Sequence, residues 1–120
     1  MCAAIGIDAP EDAIFYRRQT ADLPDSAPAI RRYIAANNIG LSVIDSLGLA
    51  RGGEPESAFE TIRTFNAIRT FGISTVLVDH LAKNATDKLN PFGSVYTTNA
   101  ARMTWRLDGI HEEGSKRTTM

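Results

Sequence analysis

Residues 39–45 read Ile-Gly-Leu-Ser-Val-Ile-Asp, and residues 73–79 read Ile-Ser-Thr-Val-Leu-Val-Asp. Each is a short apolar run, rich in β-branched residues and ending on a carboxylate, which is the pattern of a strand. Between them residues 57–71 carry a helical pattern that Gly72 closes. Strand, helix, strand is the unit that builds a parallel sheet, because two parallel strands need a crossover between them. Both runs are apolar enough to be expected buried on both faces. The fold class that follows is α/β.

The pattern extends in both directions. Residues 13–18 (Ala-Ile-Phe-Tyr-Arg-Arg) are aromatic and β-branched and read as a further short strand. Residues 21–28 hold Pro24, Asp25, Ser26 and Pro28 and read as a turn running into a helix. That helix, over 29–37, places Ile30, Tyr33, Ile34 and Asn37 on one face and stops at Gly40. Residues 46–56, with three glycines, read as a flexible loop. Pro55 suits the first turn of the next helix, and Ser57-Ala58-Phe59-Glu60 has the spacing of a capping box. Phe59, Ile62, Phe65 and Ile68 are expected as its core stripe, with Glu56, Glu60, Arg63 and Arg69 off it.

Residues 80–94 are polar and turn-rich, broken by Asn90-Pro91 and Gly93, and residues 95–100 read as a short helix. Residues 102–107 alternate Arg-Met-Thr-Trp-Arg-Leu, as an edge strand does, with Trp105 packed on the sheet. A C-terminal hairpin is expected over 108–120, turning near Glu113-Gly114-Ser115. No repeat, low-complexity segment or linker divides the chain, so it reads as one domain.

Composition narrows the function classes. The 120 residues carry 13 Lys+Arg against 14 Asp+Glu, a formal net charge of −1, and 43% are hydrophobic. That balance excludes the strong basic field of a histone-like or polybasic membrane binder. The apolar runs are too short to span a bilayer. Residues 1–8 carry neither a positive n-region nor a long apolar stretch, which reads against a signal peptide. A single cysteine, Cys2, gives no internal disulfide and no paired-cysteine zinc site. The expectation is a soluble protein of a reducing compartment, the cytoplasm, with no membrane partner.

Three features carry chemistry. Asp45 ends an apolar strand and is followed by Ser46. A carboxylate there suits a hydrated Mg²⁺ bound together with nucleotide phosphates, or else it terminates the strand by capping the next turn. His80 follows the second strand, with Lys83 three residues on. If the two strands are neighbours, His80 lies beside Asp45, where it can hydrogen-bond a γ-phosphate while Lys83 neutralises phosphate charge; the alternative is a His bonded to Asp79. The loops after the two strands offer Arg51, Gly52 and Gly53, then Lys83 and Lys88, as donors and close-approach positions for a nucleic-acid backbone, or are simply solvated. Cys2 lacks a basic neighbour, and His111 with Glu112 and Glu113 lacks metal-ligand spacing. A small hydrolase built on Asp45, Asp79 and His80 has no nucleophile motif to accompany it.

In this order the features resemble the RecA-like ATPases, in the branch of phage- and plasmid-borne ATPases related to RepA-type hexameric helicases. The likeness rests on Val-Ile-Asp-Ser-Leu-Gly (43–48) in the place of Walker B, the glycine-rich loop after it, and the 53–72 helix. It continues through Val-Leu-Val-Asp-His (76–80) as the sensor strand, Pro91-Phe92-Gly93-Ser94 ending a polar loop, and Asn-Ala-Ala-Arg-Met-Thr-Trp-Arg-Leu (99–107). The resemblance implies a partial RecA-like, mainly parallel sheet flanked by helices, with a C-terminal edge strand or hairpin. By it Asp45 holds Mg²⁺ through water with Ser46 beside it, and His80 is the sensor, with Lys83 assisting. ATP and Mg²⁺ are the implied cofactors, single-stranded DNA and a ring of identical subunits the implied partners.

Walker A requires Gly-x-x-x-x-Gly-Lys-[Ser/Thr], and these 120 residues contain no Gly-Lys dipeptide. The catalytic glutamate that follows the phosphate-binding strand has no counterpart either. The resemblance therefore implies an internal piece of such an ATPase, inactive alone, in which strands 73–79 and 102–107 pair directly or leave an edge open. A non-enzymatic remnant that docks on an intact ATPase ring or on DNA is the alternative reading.

Overall fold

The computed structural model describes residues 13–54, 56–80, 96–112 and 115–119. The described chain runs α1 (Leu23–Ala36), β1 (Leu41–Asp45), α2 (Leu47–Arg51), α3 (Ala58–Arg69), β2 (Ser74–Val78), α4 (Tyr96–Ala100), β3 (Asp108–Glu112) and β4 (Ser115–Thr119). β1 and β2 pair in parallel, Leu41 opposite Ser74 and Asp45 opposite Val78, with α3 as their crossover. β3 and β4 form a separate antiparallel hairpin, Asp108 opposite Thr119. The mixed helix and strand content and the parallel pair agree with an α/β protein.

α1 begins at Leu23, six residues before the expected start. Pro24 sits in the first turn, where a missing N–H leaves no bond unmade, so it starts the helix rather than delaying it. Pro28 is carried inside the helix. The buried stripe is Leu23, Ala27 and Ile34, with Ile30 packed beside it, while Tyr33 is half exposed and meets Phe15 edge-on at 6.0 Å. The stop is at Asn38 rather than Gly40. Asn38 has φ 51°, and the Ile39 and Asn38 amides return to the Ile34 and Ala35 carbonyls at 3.1 and 3.5 Å. That is the paired-bond helix ending in which Asn takes the left-handed position.

α3 starts as expected: the Ser57 hydroxyl accepts the Glu60 amide at 3.3 Å. Its core stripe does not follow expectation, because Phe59 and Ile62 are 70% and 46% exposed. Thr61, Thr64, Phe65, Ala67 and Ile68 are buried instead. Residues recurring every three positions slip backward by about 60° each time around a helix of 3.6 residues per turn, so Phe59 and Ile68 end on opposite sides. The two threonines are fully buried because their hydroxyls bond the Ser57 and Glu60 carbonyls at 3.0 and 2.8 Å.

α1, α3 and the residue after α3, Phe71, supply the core: Leu23, Ala27, Ile34, Ala67, Ile68 and Phe71. Ile44 of β1 and Leu77 of β2 pack against it from one side of the sheet. The opposite side departs from expectation. Leu41, Val43, Val76 and Val78 are 56%, 62%, 38% and 37% exposed, so each strand is covered on one face only.

Residues 13–18 form no strand; Ile14, Phe15 and Tyr16 are exposed and no described strand pairs with them. The 46–56 loop contains α2, which the glycines disguised in the sequence. The short helix near 95–100 and the C-terminal hairpin are present, and His111 and Glu112 lie within β3. Residues 102–107 hold no strand, and Met103, Trp105 and Leu107 are all more than 60% exposed. The expectations for Cys2, Pro55 and Glu113 lie outside the described residues.

Candidate functional site

The parallel register brings together what the sequence kept thirty-five positions apart. Asp45 is the last residue of β1 and faces Val78, the last of β2; Asp79 and His80 follow directly. Asp45 and His80 therefore stand at the carboxyl ends of adjacent parallel strands, and both are exposed. In open α/β sheets this edge is where ligands sit, because strand ends and the helices after them leave backbone groups unpaired.

Asp45 belongs to the open face by alternation with Leu41 and Val43. Ser46 turns the chain into α2 through a cis peptide after Asp45 and is 6% exposed. Leu47, 1% exposed, anchors α2 beneath it. An exposed carboxylate at a strand end, with no core packing to restrain it, is a suitable single ligand for a hydrated Mg²⁺, which keeps most of its waters and takes one or two carboxylates. Among the described residues no three His, Cys, Asp or Glu side chains converge on a metal position, so Asp45, Asp79 and His80 do not make a closed metal cluster.

Asp79 alternates to the other side. Its Oδ1 accepts the His80 backbone N–H at 2.9 Å and lies against Gly48 at the start of α2. Its Oδ2 is buried, and no donor among the described residues reaches it. The contact expected between Asp79 and His80 is thus made by the histidine's backbone. Asp79 fixes the main chain where β2 ends and leaves the imidazole on the exposed side, available to a phosphate or another acceptor.

Arg51, expected on a loop surface as a donor to a nucleic-acid backbone, is 2% exposed. Its Nη2 donates to the Thr97 hydroxyl at 3.2 Å, tying the end of α2 to α4. A guanidinium held this deep presents nothing to an external phosphate. Gly52 and Gly53 follow it with φ 69° and 62°. A Cβ on Gly52 would stand 2.2 Å from the Asp22 carboxyl, and one on Gly53 would stand 2.9 Å from Cγ of Glu60. Both glycines are thus already taken up by close packing within the chain. An arginine in a glycine-rich stretch looks solvated, and nothing in its spacing signals this burial. Lys83 and Lys88 lie outside the described residues.

Searches of protein-family models, curated proteins and solved structures find no match to this chain. No helix among the described residues is long and apolar enough to cross a membrane.

Proposed function

We propose that this chain is the Mg²⁺- and sensor-bearing half of a RecA-like, DNA-coupled ATPase, inactive in hydrolysis by itself. The observation that supports the reading is the β1–β2 register, which sets Asp45 and His80 side by side at the carboxyl edge of a parallel pair. When bound, Mg²⁺ would supply charge neutralisation for the nucleotide phosphates. Asp45 holds it through water, while the His80 imidazole hydrogen-bonds a phosphate oxygen and passes that contact to the segment that follows. Lys83 and Lys88 in that segment are the cations offered to phosphate and to single-stranded DNA. A ring of identical subunits supplies the rest of the site. Without a Gly-Lys cradle the affinity for ATP is weak, in the millimolar range of a few phosphate contacts.

The test is nuclear magnetic resonance on the ¹⁵N-labelled chain titrated with Mn²⁺ and ATP. Broadening centred on residues 45–46 and 79–80, absent in Asp45→Asn, is the expected result. Broadening elsewhere, none at all, or a pattern indifferent to Asp45→Asn overturns the proposal. Mg²⁺-dependent ATP turnover by these 120 residues alone overturns the claim of inactivity.

A further inference from the structure

Two apolar features of this chain have no partner among its described residues. The first is the open side of the β1–β2 sheet, a ladder of three register pairs: Leu41 with Ser74, Val43 with Val76, and Asp45 with Val78. Four of the six are apolar and more than a third exposed. Parallel sheets are ordinarily covered on both faces, so a bare apolar side marks an interaction surface.

The second is Met103, Trp105 and Leu107, 66%, 67% and 61% exposed. They recur with the period of a strand, yet residues 101–107 form no regular element. In a strand conformation the three fall on one side and Arg102, Thr104 and Arg106 on the other. The apolar stripe then spans four residue steps, about 13 Å, the same as Leu41 to Asp45 in β1.

We propose that these two features are halves of one interface between two copies of this chain. The Met103, Trp105 and Leu107 stripe of each copy covers the Leu41, Val43, Val76 and Val78 face of the other, giving a reciprocal two-fold dimer. Charge complementarity favours this occupant. The one charged residue in the ladder is Asp45, at its end, while Arg102 and Arg106 flank the stripe, so either direction of docking brings an arginine to the Asp45 end. A net charge of only −1 leaves little repulsion between copies. The stripe's backbone faces water on the outside of the contact, so no buried N–H is orphaned. Trp and Met are the residue types that concentrate binding energy at such contacts.

Sedimentation velocity with Val43→Lys and Trp105→Ser is the test, with far-ultraviolet circular dichroism confirming that each variant folds. The expected result is a concentration-dependent dimer whose dissociation constant rises at least tenfold in each variant. An equimolar mixture of the two associates more tightly than either alone, because one intact stripe meets one intact face. Should Val43→Lys unfold the chain, Val76→Thr with Leu107→Ser gives the same comparison. A wild-type monomer overturns the proposal, as does a dimer indifferent to Trp105→Ser. So do a monomer whose Trp105 is shielded from acrylamide and co-sedimentation of a monomer with phosphatidylcholine vesicles, which assign the cover to the chain itself or to lipid. None of these variants touches Asp45 or His80, so the result stands apart from the nucleotide proposal.

Discussion

The Arg51 guanidinium donates to the Thr97 hydroxyl at 3.2 Å inside the protein, linking the helix after β1 to the helix that precedes residues 101–107. A buried cation that loses a neutral acceptor is left with unmet hydrogen-bonding capacity, which typically costs about 1–3 kcal/mol. Thr97→Val keeps the shape and removes the acceptor. We expect it to lower stability within that range in urea denaturation, and Arg51→Met, which removes the charge as well, to be milder than Arg51→Ala, which also opens a cavity. Equal stability of Thr97→Val and wild type would show that the bond contributes nothing.

Gly52 has φ 69° and ψ 164°, a region that residues with a Cβ scarcely enter. Gly52→Ala meets both a backbone penalty of about 1–3 kcal/mol and the Asp22 carboxyl at 2.2 Å. Combining it with Asp22→Ala removes the collision and leaves the backbone penalty. The expected double-mutant cycle shows recovery of part of the loss and not all of it; complete recovery would place the whole effect in the collision.

Asn38 holds the left-handed position that ends α1. Asn38→Gly should leave the melting temperature nearly unchanged, whereas Asn38→Ala should lose about 1 kcal/mol. A lower melting temperature for the glycine variant would assign Asn38 a side-chain role.

Phe59 and Ile68 test which face of α3 is inside. Phe59→Ser, at a 70% exposed position, should change stability by no more than about 0.5 kcal/mol. Ile68→Ala, 8% exposed within the core cluster, should cost about 2–4 kcal/mol. The reverse order in chemical denaturation would restore the stripe that the sequence suggests.

That contrast shows what was legible. β1 and β2 were readable from their apolar runs, and their parallel pairing followed from the helix between them. The Ser57 cap and the Gly72 stop were readable because each is a local device, complete within four residues. The core face of α3 was not, since burial is decided by what packs against the helix, and two threonines satisfied by their own backbone outcompeted two larger apolar residues. Residues 13–18 and 102–107 have the composition of strands, but a strand exists only through a partner, which the local sequence does not specify. Within the site, Asp45 and His80 were placed beside one another from the sequence alone. The burial of Arg51 was not, because it depends on Thr97, forty-six residues away.

The inner side of the sheet carries one polar contact, the Ser42 and Thr75 hydroxyls at 2.7 Å, among side chains that otherwise pack on the helices. Sliding one strand by a single residue would break that contact and turn the valines inward. The two hydroxyls thus work as a key that indexes β1 against β2. Three residues upstream, they determine how far Asp45 reaches relative to the residue where His80's strand ends, so the alignment of the exposed edge is set from within.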